Sequence, residues 1–411
     1  MKKILALTLC LLMVLALMPA VSSAETLAGE FTWWTFFDQA PFIKDQFEAA
    51  NPGVKINLEV FGGDEYQTKL LNTLTAGDGV PDMFDLEEGY VYKFLDSPLV
   101  QNLEEMDLAD IGKDYYPWAI DFGRDSAGVL KGVCDNVSPV AFWYNRSAMK
   151  EWLGTDDDAQ ISEKLSSWDR ILEAALDIKA RSEGKVWLWP NLSEMVKVEG
   201  YSLTPFVRDG EFAVGQGWMD LLATMRKFYE AGAVSNLGSW SGEWATAWNE
   251  GSLLIRVMPS WDFFTDWGKN TGNVGVAKPF KTSYEGGTYR AVYANSEKKE
   301  LIAEFLKFIT TVEYQSANLD TNNQMPANKL VLSAKGEGYA NEKFGGQNIL
   351  KTYDSICSAI ANIRPDKYTR DLQNLFGKHV NNGLQEGRMD EEIISAFKAE
   401  VKDKYPELKG L

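Results

Sequence analysis

From Glu30 onward the chain alternates short β-type runs with single amphipathic helices, and this limits what it can fold into. Glu30 to Thr35 is a β-type run, and a helical pattern over Pro41–Ala50 follows, stopped by Asn51-Pro52-Gly53. Val54, Ile56, Leu58 and Val60 alternate as a second strand, and Gly62-Gly63-Asp64 turns into a helix over Glu65–Thr75. Gly77-Asp78-Gly79 then breaks that helix before a third strand over Asp82–Leu86. One helix between two strands predicts parallel βαβ units, because parallel neighbours need a long crossover to return. The pattern starts afresh with strands at Val140–Tyr144, Leu253–Met258 and Val274–Ala277, and helices from Ser166 to about Ala180 and over Trp218–Glu230. A helix over Glu297–Thr310 carries Leu301, Ile302, Phe305, Leu306 and Ile309 on one face. The tail from Tyr353 reads as helical, and Ile393, Ile394, Phe397 and Val401 make its last apolar stripe. No repeat or Pro/Ser-rich linker divides the 411 residues, so two α/β domains without a long linker are expected.

Rare residues exclude whole classes of chemistry. There is one histidine, His379, and three cysteines, Cys10, Cys134 and Cys357. A zinc site draws three or four ligands from these types, and a Ser-His-Asp mechanism would have to run through His379 alone. Asp156-Asp157-Asp158 lacks the glycine and distal glutamate of a calcium loop and reads as a solvated helix start. No metal and no cofactor are expected. With 41 basic against 59 acidic residues, the net charge of −18 repels phosphate backbones, so no nucleic-acid partner is expected. At the N-terminus, Lys2-Lys3, an apolar run to Met18 and Ser22-Ser23-Ala24 describe a secretory signal peptide cleaved after Ala24. Cys134 and Cys357 could pair once exported, but nothing in their spacing guides the pairing.

Several blocks carry a resemblance. They are Phe31-Thr32-Trp33-Trp34, then Phe47 to Ile56 (Phe-Glu-Ala-Ala-Asn-Pro-Gly-Val-Lys-Ile), Tyr66 to Leu70, and Ala76 to Asp82. Later come Trp143-Tyr144-Asn145-Arg146, Glu250-Gly251 with Pro259-Ser260-Trp261, Gly286-Gly287-Thr288-Tyr289, and Asn295 to Phe308. In this order the chain resembles the extracellular solute-binding proteins of carbohydrate ABC importers, the family that includes maltose-binding protein. The resemblance implies a type II two-lobed α/β fold, each lobe a mixed or parallel sheet flanked by helices, with ligand in the cleft between them. It implies lobes of 25–135 plus 290–325 and 136–289 plus 326–411, joined by crossings near 134–139, 289–294 and 323–330. Many relatives have tryptophan where this chain has Tyr289, which would add a hydroxyl to a stacking surface.

A sugar offers apolar C–H faces to aromatic rings and a rim of hydroxyls to carboxylates, amides and arginine. Candidates therefore sit where strand ends open on the cleft. Trp34 and Thr35 end the first strand, and alternation sends Trp33 and Trp34 to opposite sides, one of them towards the core. Asp64 either accepts hydroxyl protons or caps a helix. Glu87 and Glu88 end the third strand, one of them as a cleft residue and the other simply solvated. Trp261 follows Pro259-Ser260 in a turn, where the matching tryptophan of relatives stacks on sugar, and Tyr289 follows two glycines. Trp240, Trp244 and Trp248 form one stripe, the last two reading as core and Trp240 as able to reach the cleft. Arg364 either forks onto hydroxyls or makes a salt bridge.

These features predict a monomeric binding protein, exported to the periplasm or cell surface, that delivers a sugar or oligosaccharide to the permease subunits of an ABC importer. The alternatives are a secreted glycoside-acting enzyme, since aromatics with paired carboxylates also describe a hydrolase, and the same fold holding a polyamine or peptide.

Overall fold

The computed structural model describes residues 27–264 and 270–411, without the side chains of Asp64, Phe263 and Phe264. The expected leader, 1–24, lies outside the described residues. The strands run in chain order as β1 (Ala28–Thr35), β2 (Gly53–Val60), β3 (Met83–Glu87), β4 (Gly132–Cys134) and β5 (Val140–Asn145). They continue as β6 (Val207–Arg208), β7 (Glu211–Phe212), β8 (Ile255–Pro259), β9 (Val274–Ala277) and β10 (Thr288–Val292).

The first sheet has the order β2-β1-β3-β10-β4. β1 pairs in parallel with β2 and β3, as the βαβ spacing predicts. β10 then enters antiparallel between β3 and β4, which makes the sheet mixed. Helices cover both faces of this sheet, so consecutive residues are buried together. Trp33 packs on Phe305 at 5.4 Å and Trp34 on Phe61 at 5.0 Å. The helix Lys299–Ile309 buries Leu301, Ile302, Phe305, Leu306 and Ile309, the face its sequence marks.

The second sheet, β8-β5-β9, is antiparallel at both pairings, not parallel as the alternation suggests. A block of several helices separates β5 from β8, so no single crossover fixes the strand direction. Its core holds Phe142, Trp189, Trp218 and Leu222, and the tail helix Asp390–Lys404 closes it with Ile393, Phe397 and Val401. Helix starts follow the local sequence: Ser167 accepts from Arg170 N at 3.3 Å and Asp157 from Gln160 N at 2.9 Å.

Only Asp135 to Pro139 separate β4 in one sheet from β5 in the other, and residues 278–287 connect β9 to β10. A third stretch lies beside the first, with Val137 N donating to Met325 O at 2.9 Å. A buried charge cluster stands at this junction. Arg290 on β10 donates to Asp135 at 2.7 Å and lies 3.9 Å from Asp85, all three essentially inaccessible. Tyr314 donates to Asp135 at 2.7 Å, while Thr35 and Trp33 donate to Asp85 at 2.6 and 2.9 Å. Two carboxylates share one guanidinium, and Asp135 holds the closer contact. Burial pushes the Asp85 carboxyl up to about 6 against the pull of Arg290. Cys134 and Cys357 are both buried free thiols.

Candidate functional site

A cavity of about 360 Å³ opens where the two sheets meet. Phe36 to Gln39, just beyond β1, and Glu87, at the end of β3, supply one wall. Thr288 of β10 pairs with Glu87 and belongs to the same wall. The opposite wall is Trp261, Glu285, Gly286 and Arg370, with Asn136, Ser138, Gly287 and Gln324 from the connecting stretches. Strand ends of an open sheet leave backbone and side chains free there, because the helices pack over the faces and not the ends.

Trp261 stands in the turn Ser260–Phe264 directly after β8, and its Nε1 donates to Glu285 O at 2.8 Å. The facing backbone must come close. Gly286 has φ +79°, and a Cβ there would lie 3.0 Å from the indole nitrogen, so a side chain fits neither the torsion nor the space. Behind the turn, buried Arg256 bonds Asp262 at 3.1 Å and lies 3.8 Å from the Trp244 ring.

Polar groups of several kinds converge on the cavity. Asn136 and Gln324 are each 4% exposed, and neither Asn136 Nδ2 nor Gln324 Nε2 has a hydrogen-bond partner among the described residues. Both residues line the cavity, so these two amide donors are buried at its wall without a protein acceptor among the described residues. Glu87 Oε2 accepts from Gly89 N at 2.7 Å, and burial raises its carboxyl pKa while Arg370 opposes this. Next to it, buried Glu88 bonds Arg370 and accepts from Tyr201 at 3.3 Å. Burial pushes Glu88 up to about 7 despite Arg370, and the neighbouring Glu87 charge adds to the rise. Lys197 joins Glu194 at 3.3 Å and Glu285 at 3.0 Å. Burial acts to lower its pKa, but the two carboxylates outweigh it and keep the ammonium charged.

Of the residues picked from sequence, the structure brings Glu87 and Trp261 to this cavity. Trp240 stands beside them, 51% exposed and stacked on Trp261 at 5.7 Å with 9° between the rings. Trp34 and Thr35 lie inside the sheet, Trp34 against Phe61 and Thr35 bonded to Asp85. Tyr289 is 3% exposed in a central strand, and its hydroxyl donates to Ala119 O at 2.8 Å. Arg364 donates to Arg124 O at 2.9 Å and lies 5.0 Å from the Tyr92 ring, lining no part of the cavity. The Asp64 side chain lies outside the described residues. Phe36, Phe37, Glu285, Gln324 and Arg370 went unread. The two phenylalanines follow Thr35 immediately, so the signal was the same strand end read two residues further.

His379 bonds Glu400 at 2.7 Å and lines no part of the cavity. Among the described residues no group of three or more His, Cys, Asp or Glu side chains could hold a metal ion.

A model of the bacterial extracellular solute-binding proteins matches residues 43–343. The arabinooligosaccharide-binding protein of Halalkalibacterium halodurans is 22% identical over 400 residues, covering 87% of this chain and 85% of its own. The arabinooligosaccharide-binding protein of Bacillus subtilis is 24% identical over 336 residues, covering 75% of this chain and 76% of its own. Among solved structures, the sugar-binding protein MalE from Xanthomonas citri superposes with a TM-score of 0.76 at 14% identity, over 91% of this chain and 97% of that one.

Proposed function

This chain belongs to the bacterial extracellular solute-binding proteins, with their two-lobed type II α/β fold, and from that premise we propose that it captures an oligosaccharide between its lobes for an ABC importer. The observation that carries this reading is the pair of unpartnered amide donors, Asn136 and Gln324, in the cavity that the Trp261 ring lines. An indole covers a sugar's C–H face, and hydroxyls accept from buried amides and donate to Glu87. Two relatives named for arabino-oligosaccharides support that sugar class as the first to test.

The lobes are taken as 25–135 plus 290–325 and 136–289 plus 326–411, supported by β4 and β5 lying in different sheets and by β10 returning to the first. The protein acts as an exported monomer in the periplasm or at the cell surface, and the permease subunits of the importer are its partners. It holds its ligand without cleaving it. The Glu285 carboxylate pairs with Lys197, and Glu87 accepts from the Gly89 amide.

A thermal-shift panel of oligosaccharides against polyamines and peptides tests this reading. At a hundredfold excess over Kd a sugar adds about 2.7 kcal/mol, a rise of a few degrees in Tm. The same sugars, end-labelled, should be recovered intact after incubation. A shift with polyamines alone, or cleaved sugar, would contradict the proposal.

A further inference from the structure

Two adjacent carboxylates at the end of β3, Glu87 and Glu88, meet one guanidinium from the other side of the cleft, that of Arg370. We propose that closing the lobes takes up a proton on this carboxylate pair, so that sugar capture is proton-linked and strongest in acidic medium. This rests on the oligosaccharide reading above and adds a control by pH to it.

The partners come from different cores. β3 lies in the first sheet, whereas Tyr368 and Leu372, on either side of Arg370, are buried in the core of the second. Arg370 bonds Glu88 directly. Tyr201 closes the triangle, donating to Glu88 and accepting from Arg370, each at 3.3 Å. Glu88 is 2% exposed, so its carboxyl reaches this place only by leaving water. One residue further, Asp371 meets Lys93 at 3.5 Å. The helix Thr369–Gln385 therefore touches the first lobe through two consecutive charges of opposite sign. When the lobes part, Arg370 and Tyr201 withdraw and the two glutamates return to solvent.

Among the described residues, the charges facing the pair do not balance it. Arg370, Glu285 and the phenols of Tyr201 and Tyr284 face it from the second lobe, and Lys93, Tyr90, Tyr92 and Tyr289 from the first. Burial raises all five phenols, so they stay neutral. Lys197 answers Glu285 at 3.0 Å and Asp371 answers Lys93, which leaves Arg370 to serve both Glu87 and Glu88. Two buried anions that share one cation relieve their repulsion by binding a proton between them. The shifts run the same way. Burial raises both carboxyls against the pull of Arg370, and Glu88 stands at about 7. Opening returns it to the ordinary carboxylate range, which fixes the sign. The contribution to closing is complete below about pH 4 and is lost as pH rises through 7.

The test is a calorimetric titration of an arabino-oligosaccharide at pH 5, 6 and 8 against the wild type and Glu88→Gln. Wild-type Kd should be about tenfold higher at pH 8 than at pH 5. Repeating the pH 6 titration in buffers of different ionisation enthalpy should count about one proton taken up per sugar bound. Glutamine stands in for the protonated acid, and its carbonyl still accepts from Arg370. The variant should therefore bind at pH 8 at least as tightly as the wild type, with a flat pH profile. An ion pair that merely braces the fold forecasts the opposite, weaker binding by the variant at every pH. That result, a wild-type Kd equal at pH 5 and pH 8, or sugar bound without proton uptake would overturn the proposal and leave the oligosaccharide reading standing. If no arabino-oligosaccharide binds the wild type at any of the three pH values, that reading falls and the proton linkage with it.

Discussion

Arg290→Met is expected to lower folding stability by about 3–5 kcal/mol at pH 7, the largest single effect anticipated here. The guanidinium is fully buried between Asp135 at 2.7 Å and Asp85 at 3.9 Å. Removing it leaves two fully buried carboxylates without their counter-charge. Methionine fills much of the volume, so the loss reports charge and not a cavity. The pH dependence has a definite sign. The folded Asp85 pKa of about 6 lies above its unfolded value of about 3.9. Its contribution is therefore complete below pH 4 and lost as pH rises through 6. Without Arg290 the Asp85 carboxyl rises further, so the variant should recover stability more steeply than the wild type between pH 7 and pH 5. Urea unfolding at the two pH values measures this. A loss under 1 kcal/mol, or one equal at both pH values, would mean the cluster is not electrostatically strained.

Trp261→Ala should weaken oligosaccharide binding by about 1–3 kcal/mol, roughly 5- to 150-fold in Kd. Trp261→Phe should keep part of the affinity, since a smaller ring still covers a C–H face. The rival role is packing, because Trp261 is only partly exposed and its Nε1 is bonded to Glu285 O. Truncating a buried tryptophan costs about 3–5 kcal/mol of stability, so a packing residue would show early ligand-free melting. Fluorescence titration and ligand-free melting on the same variant separate the roles. Retained affinity with a collapsed Tm would make Trp261 a packing residue.

The first three strands were legible because their apolar residues keep a simple period and are punctuated by glycines. β10 was not, since Thr288 and Arg290 interrupt the apolar run although all five residues are buried. β4 is three residues long and offers no period at all. Alternation also misled at Trp33 and Trp34. It placed them on opposite sides correctly, but a sheet covered on both faces has no outward side. In the site, strand-end position found Glu87, and position just after a strand together with the resemblance found Trp261. Tyr289 occupies a central strand that the sequence did not reveal, so its two preceding glycines suggested a loop instead. Arg370 was beyond reach: it meets Glu88 across 282 positions, and no local pattern encodes that meeting.

Hydrogen exchange with and without a saturating arabino-oligosaccharide tests the central claim most directly, since the claim concerns a ligand held by both lobes at once. Backbone amides around Phe36–Gln39, Glu87 and Thr288 on the first sheet, and Trp261, Glu285–Gly286 and Arg370 opposite, should gain protection together. The connecting segment at Asn136–Ser138 should slow with them. Protection confined to one lobe, protection elsewhere on the surface, or no change in the presence of bound sugar would contradict the account.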